Sequence, residues 1–180
     1  MINYERFANL LSEADKFFSE SYSESRTRWL TAVDKKDAQT DSILVEGPGS
    51  QNEALYLDFA TIGGPKSEKI LFHVSGTHGI EGYLGAAIQL AILDCLEPSD
   101  NITFVFLHCL NPWGMSHKRR VTKENIDLNR NFHLDQSKFK GAPNAYRALD
   151  SFLNPKRGPL RVDAFLLQTI LAIVSIVICL

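Results

Sequence analysis

Apolar residues recur at three- and four-residue steps along the first part of the chain, which is the spacing of a helix with one buried face. Leu10 and Ala14 follow this spacing. The pattern predicts helix over residues 3–33, with a serine-rich polar interruption at 19–25. A polar loop is expected at residues 35–42.

Short apolar runs then replace the helical spacing. They predict strands at residues 43–46 and 54–61, followed by two buried strands, "ILFHV" at 70–74 and "ITFVFLHCL" at 102–110. The run at 70–74 has the character of a central strand. Helical spacing returns over residues 81–96. A strand, a helix and a strand with short connections form a βαβ unit, so the last two strands should be parallel.

The last part of the chain predicts one helix and an apolar end. Residues Ala142–Leu153 have a helical pattern that Pro155 would stop. Residues 164–180 carry no charge over seventeen positions, which suits either a buried helix or a marginal membrane span. We expect a domain over residues 1–163 and a separate apolar helix or tail over 164–180.

Composition narrows the class of protein. The chain has 180 residues, a net charge of −2 and a pI of about 6.2, so it lacks the basic surface that binds nucleic acid. Cys95, Cys109 and Cys179 are scattered, which favours buried free thiols in a reducing compartment. The N-terminus has no signal-peptide pattern. A cytoplasmic location is therefore expected, with membrane anchorage through residues 164–180 as the alternative.

The glycine-rich stretch "GTHGIEG" lies between the strand at 70–74 and the helix that follows. Such a turn could hold phosphate, but the spacing is GxxGxxG and Glu81 would place a carboxylate where phosphate belongs. His78 and Glu81 could instead bind a metal, since histidine nitrogen and carboxylate oxygen are zinc ligands. Asn111 follows the second parallel strand, so both loops should open at the same edge of the sheet.

A polar pair, Asn129 and Arg130, lies further along the chain between apolar Leu128 and Phe132. Apolar residues on both sides predict that the Arg130 guanidinium is held in place. A guanidinium beside an amide suits a carboxylate ligand. A second arginine could stabilise negative charge on a carbonyl oxygen. For Arg119 and Arg120, a solvated basic loop is the competing interpretation.

The stretches "GTHGIEG", "LNPWG" and "DLNRNF", in this order, resemble the zinc carboxypeptidase clan. That clan includes carboxypeptidase A-like peptidases and the succinylglutamate desuccinylase and aspartoacylase branch. The chain is most similar to an uncharacterised, mostly bacterial carboxypeptidase-like family, which also has segments like "SYSESRTRWL" and "NPKRGPLRVDAFLLQ". The resemblance implies an α/β fold of three layers, with a mixed, mainly parallel sheet flanked by helices.

The resemblance also implies roles for single residues. His78 and Glu81 match the first two zinc ligands, and Asn129 and Arg130 match the pair that binds a substrate carboxylate. Arg120, with Arg119 as the alternative, matches the arginine that polarises a carbonyl. The implied activity is zinc-dependent hydrolysis of an amide bond beside a carboxylate, in a peptide C-terminus or an N-acyl amino acid.

The sequence departs from the clan at three points. Ile80 stands where many carboxypeptidases have arginine, which is closer to the amidase branch. A third zinc-binding histidine and a general-base glutamate are expected downstream, yet His133, directly beside the NRNF motif, is the only histidine after Arg130, and no glutamate follows Glu124. These departures predict a chain truncated within the fold and with little activity. A carboxylate-binding remnant without metal and a membrane-tethered interaction protein are the alternatives.

Overall fold

The computed structural model describes residues 4–64, 67–98, 100–139, 141–153, 169–171 and 174. The chain divides into two compact units, Met1–Phe132 and His133–Leu180. The predicted boundary at residue 163 lies outside the described residues. So does the apolar run 164–180, apart from helical positions at 169–171 and 174.

Helical structure fills the predicted N-terminal region in three pieces: helix α1 (Tyr4–Leu10), a 3₁₀ segment (Leu11–Phe17) and helix α2 (Tyr22–Asp34). The serine-rich stretch was predicted as an interruption, but it begins α2. Ser21 caps that helix, because its hydroxyl accepts the backbone N–H of Glu24 at 3.2 Å.

Four strands form one sheet in the order β1-β2-β4-β3. Their bounds are β1 Gln39–Val45, β2 Leu55–Ile62, β3 Lys69–Val74 and β4 Ile102–His108. The predicted parallel pairing of β3 with β4 is confirmed. The prediction of a mainly parallel sheet is wrong for the described residues, because β2 pairs antiparallel with both β1 and β4. Strand β1 also takes up part of the predicted loop at 35–42.

The hydrophobic core lies between one face of the sheet and two helices. Helix α3 (Gly82–Cys95) connects β3 to β4, and it packs beside α2. The fully or almost fully buried core side chains are Trp29, Val33, Ala60, Ile62, Leu90, Leu93, Leu96, Phe104 and Phe106. A second layer of helices, which a three-layer fold requires, is not found among the described elements of this unit. Mixed α/β with a four-stranded sheet flanked by helices is the observed architecture.

Strand β3 lies at an edge of the described sheet. Ile70, Leu71 and Phe72 are 72%, 46% and 57% exposed. The prediction of a buried central strand is therefore wrong for the part of the chain that the structure describes, where β3 has a neighbour on one side alone. The apolar run indicated burial correctly for β4, whose Phe106 is fully buried.

A buried ion pair attaches α2 to the sheet. Asp58 on β2 is fully buried and accepts two hydrogen bonds from the Arg26 guanidinium, at 2.7 and 2.9 Å. Ser42 on β1 donates a third, at 2.6 Å. Because an unpaired buried carboxylate is costly, these partners fix the position of α2 on β2.

Within the second unit, helix α5 (Asn144–Leu153) confirms the predicted helix at 142–153. Helix α4 (Pro112–Ser116) belongs to the first unit and follows β4. Cys95 and Cys109 are buried free thiols, as predicted, and Cys179 lies outside the described residues. None of the helices in the described part of the chain combines the length and apolar character that crossing a membrane requires.

Candidate metal centre

The loops that follow β3 and β4 lie against each other, as the parallel pairing requires. The backbone N–H of Leu110 donates to the carbonyl of Ser75 at 2.9 Å, and that of Asn111 to the carbonyl of Gly76 at 2.9 Å. Gly76 has a φ of +66°, which glycine adopts without strain. The expected meeting of the two loops at one sheet edge is confirmed.

The turn after Gly76 is attached to the segment that carries the two arginines. The N–H groups of Gly79 and Ile80 donate to the carbonyls of Arg120 and Arg119, at 3.2 and 3.0 Å. A side chain at position 79 would have its Cβ only 2.0 Å from the carbonyl carbon of Gly114 on α4. Glycine at this position lets the turn approach α4 closely enough for these bonds.

His78 lies between two carboxylates. Its Nδ1 is 3.2 Å from Oε2 of Glu81, and its Nε2 is 3.2 Å from Oδ1 of Asp127. The His78 side chain is 12% exposed and that of Asp127 is 20% exposed, whereas Glu81 is 60% exposed. Asp127 therefore holds the inner side of the imidazole, and Glu81 faces outward beside the other nitrogen.

Arg120 completes a ring of four polar side chains, together with His78, Glu81 and Asp127. Its Nε donates to Asp127 at 3.2 Å and its terminal nitrogen donates to Glu81 at 3.3 Å. Burial would raise the pKa of the Asp127 carboxyl, but the hydrogen bonds from His78 and Arg120 outweigh that and lower it. Asp127 is thus held as an anion by the two groups that it orients.

The two outward-facing atoms of the ring can be compared with a pair of metal ligands. Nδ1 of His78 lies 3.2 Å from Oε2 of Glu81. On a tetrahedral zinc, a nitrogen and a carboxylate oxygen at about 2.0 to 2.2 Å lie roughly 3.4 Å from each other. The observed separation is close to this value, and it is also that of an ordinary hydrogen bond.

Within the described residues, no group of three or more His, Cys, Asp or Glu side chains converges on a point where a metal could lie. The geometry explains this. Asp127 contacts the opposite nitrogen of His78 from Glu81, so it acts as an outer partner of the histidine and not as a third ligand.

The predicted carboxylate-binding pair lies next to Asp127 but is not held by apolar neighbours. Asn129 donates its backbone N–H to Oδ1 of Asp127 at 3.0 Å, and Arg130 donates its backbone N–H to the Asp127 carbonyl at 3.0 Å. Both residues are exposed. The predicted bracket is wrong, because Phe132 is 82% exposed.

The two arginines offered as alternatives both lie at the turn, and the role of either one stays a prediction. The Arg120 side chain takes part in the ring, while Arg119 is half-buried and contributes its backbone to the turn. The sequence analysis did not predict that Asp127 orients His78. The available signal was a carboxylate two positions before Asn129, in the same short stretch.

Comparison with known proteins gives a family and no activity. A family model described as "Protein of unknown function (DUF2817)" matches residues 18–175. The chain belongs to the DUF2817 family. That description leaves the reaction of DUF2817 proteins open, and no curated protein matches the chain.

One solved structure with some similarity to this DUF2817 chain is the glutaminyl cyclase of Macrostomum lignano. The identity is 16% and the TM-score is 0.36, over 58% of this chain and 37% of that protein. The chain thus spans well under half the length of that protein. At this level of similarity the comparison carries no argument about the reaction.

Proposed function

We propose that this DUF2817 chain carries residues of a zinc-dependent hydrolase site. The reaction would be cleavage of an amide bond next to a carboxylate, in a peptide C-terminus or an N-acyl amino acid. One observation carries the proposal: His78 has a carboxylate on each ring nitrogen, and the outer pair has the separation of two ligands on one zinc.

In this proposal, His78 and Glu81 hold the metal and Asp127 orients the histidine. Zinc bound there would lower the pKa of a coordinated water and polarise the carbonyl of the amide. The Arg120 guanidinium, about half exposed, is placed to stabilise negative charge on the carbonyl oxygen. Asn129 and Arg130 are exposed beside it and would bind the substrate carboxylate.

Two ligands are fewer than catalytic zinc sites usually have. We therefore expect weak zinc binding and no appreciable hydrolysis by residues 1–180. Rapid turnover of N-acyl amino acids or short peptides, abolished by a chelator, would contradict this expectation and require a further ligand.

Zinc titration followed by calorimetry tests the assignment. The wild type should bind zinc with one site, and His78→Ala should bind at least about tenfold more weakly, since one of its two ligands is gone. His117→Ala is the matched control, because the His117 ring stacks on Trp113 and its Nδ1 lies 3.0 Å from the Trp113 carbonyl oxygen. Equal affinity of wild type and His78→Ala would show that the metal is held elsewhere.

A second candidate is carboxylate binding without metal, and the ring itself favours it. Arg120 donates to both Asp127 and Glu81, so the two carboxylates have a cationic partner without zinc. This candidate predicts binding of a small carboxylate in the presence of chelator. Arg130→Lys should weaken that binding more than Lys123→Ala, because lysine lacks the planar fork of arginine.

A further inference from the structure

Helix α3 has an apolar side that faces solvent. The two most exposed of its fourteen residues are Leu84 and Ile88, at 54% and 45%. A helix on a protein surface usually turns polar side chains to the solvent. The amide and the carboxylate of α3 are engaged elsewhere, because Gln89 is buried and Asp94 is paired with Arg6. The outward side of α3 is therefore apolar.

This apolar side begins at the candidate metal centre. Glu81 comes directly before α3 and already has a helical backbone conformation, with φ −73° and ψ −12°. Leu84 and Ile88, three and seven positions later, therefore lie on the same side of the helix as Glu81. Ile80, which precedes Glu81 in the turn, is 41% exposed. We refer to Ile80, Leu84 and Ile88, which follow one another at four-residue steps, as the apolar row.

The ring around His78 gives a substrate a direction. Asn129 and Arg130, which would bind the substrate carboxylate, donate their backbone N–H groups to Asp127. Asp127 contacts Nε2 of His78, whereas Glu81 contacts Nδ1 on the other side of the imidazole. A substrate with its carboxylate on the Asp127 side and its amide at the ring therefore extends its other end past Glu81, towards the start of α3.

The end of the substrate that reaches α3 is its acyl group. The apolar row offers aliphatic contacts over about 10 Å, since seven helical residues separate Glu81 from Ile88. A hydrocarbon chain on this surface is stabilised by the removal of apolar area from water, and the polar backbone of a peptide is not. An acyl group with a carboxylate of its own would bring that charge towards Glu81, which repels it. The row therefore suits an uncharged aliphatic chain.

The area of the apolar row argues against a second copy of the chain as its partner. Three side chains that are about half exposed offer roughly 300 Å², even if each were as large as an aromatic side chain of about 200 Å². A stable interface between proteins buries about 800 Å² on each partner. A single hydrocarbon chain matches a row that is one side chain wide.

We propose that the substrate is an N-acyl amino acid with an unbranched aliphatic acyl chain, and that this chain lies along the apolar row of Ile80, Leu84 and Ile88. The inference rests on the proposed function, because the ring has to hold the amide and the carboxylate. It goes further in choosing the N-acyl amino acid over the peptide C-terminus and in naming the chemistry of the acyl group.

Calorimetry on the full chain, with zinc and again with a chelator, tests the inference. N-octanoylglycine should bind at least about tenfold more tightly than N-acetylglycine, because its additional methylene groups leave water. Octanamide, which lacks the carboxylate, should bind more weakly than N-octanoylglycine. Equal affinity of the two glycine derivatives would overturn the acyl-chain site alone, and no saturable binding of either would overturn the proposed function as well. Tighter binding of N-octanoylglycine by a chain that takes up no zinc would overturn the metal and keep the acyl-chain site.

Variants locate the acyl chain. Leu84→Gln and Ile88→Gln change exposed positions to a residue that favours helix, so both should fold. Each should weaken N-octanoylglycine about threefold or more and leave the affinities for N-acetylglycine and zinc unchanged. Ile70→Gln, at a position 72% exposed on β3, is the matched control and should bind like the wild type. An equal loss in Ile70→Gln would mean general adsorption to apolar surface, and a lower mass of Leu84→Gln in sedimentation would assign the row to a second copy; either result overturns the inference.

Discussion

Asp127 decides which nitrogen of His78 faces outward. Its oxygen lies 3.2 Å from Nε2, so the imidazole presents Nδ1 to Glu81. Outer partners of this kind fix the tautomer and the direction of a metal-binding histidine. The residue thus has an effect on any metal at this position without touching it.

Replacing Asp127 with asparagine should weaken zinc binding by about 10- to 100-fold. The asparagine keeps the size of the side chain but loses the charge that both His78 and Arg120 contact. The measurement is a zinc titration at pH 7.5. Glu124→Gln is the control, since it removes an exposed carboxylate in the same segment. If Asp127→Asn binds zinc like the wild type, His78 is oriented by something other than Asp127.

His108 offers a prediction about pH. The side chain is fully buried, its Nε2 is 3.0 Å from the Ser25 hydroxyl, and burial lowers its pKa to about 4. The unfolded chain takes up this proton near pH 6.5, before the folded chain does. Stability should therefore fall as the pH is lowered from about 6.5 towards 4.

The free energy of unfolding should drop by roughly 2 kcal/mol between pH 7 and pH 5 because of His108. Urea denaturation at the two pH values measures it. His108→Gln keeps an acceptor for Ser25 but does not titrate, so its pH dependence should be smaller by about this amount. The same pH dependence in wild type and His108→Gln would assign the loss to other groups.

At the scale of elements, the turn 76–82 depends on how closely it packs against α4. A Cβ at position 79 would lie 2.0 Å from the backbone of Gly114. Rotation of a side chain cannot relieve this clash, so the backbone of the turn or of α4 would have to move. Gly79→Ala should therefore cost roughly 1–3 kcal/mol of stability and weaken zinc binding as well.

Gly64→Ala is the matched control for this change. Its new Cβ would lie 3.1 Å from the Asp100 carboxylate and 3.2 Å from the Asp100 Cα, so a shift of a few tenths of an ångström would accommodate it. Urea denaturation of both variants measures the difference. If Gly79→Ala were as stable as Gly64→Ala, the turn would be looser than its hydrogen bonds to residues 119 and 120 indicate.

Most elements could be predicted from the sequence because each one repeats a local pattern. The apolar spacing placed α3 within one residue of its observed ends and paired β3 with β4 correctly. Which strand lies at an edge could not be predicted, because an apolar run such as 70–74 reports a preference for burial and not the presence of a neighbour. For the same reason, no local sequence pattern predicted that β2 lies between β1 and β4 and pairs antiparallel with both.

In the candidate site, too, only residues that are close in the sequence could be predicted to lie together. His78 and Glu81 share one turn, so their spacing was informative. Asp127 lies 49 residues from His78, and its contact depends on how the loops fold back. The bracket of Leu128 and Phe132 failed because apolar residues in a loop are buried only if another element covers them.

At the scale of the whole molecule, the position of β3 at an edge of the described sheet has consequences for solubility. Ile70, Leu71 and Phe72 are exposed on a strand that has one neighbour in the described sheet, and such a surface can pair with other chains. Phe72→Lys should slow aggregation at 37 °C, followed by light scattering, and change the free energy of unfolding by less than about 0.5 kcal/mol. Charge on an edge strand opposes pairing with another strand.

Phe132→Lys is the control for that experiment, since Phe132 is more exposed, at 82%, but does not lie on a strand. It should slow aggregation less than Phe72→Lys does. If the two variants behave alike, exposed apolar area in general drives the aggregation and the edge of the sheet is not its cause.

The backbone hydrogen bonds donated by Gly79 and Ile80 can also be used to measure how often the site opens. These amide protons are donated to carbonyls about forty positions further along the chain, at Arg120 and Arg119. Their exchange with deuterated solvent therefore requires the two loops to separate, whatever happens elsewhere in the sheet. Two amide resonances, followed over time, would measure how often the His78 turn opens, and any ligand that joins the loops would lengthen their lifetimes together.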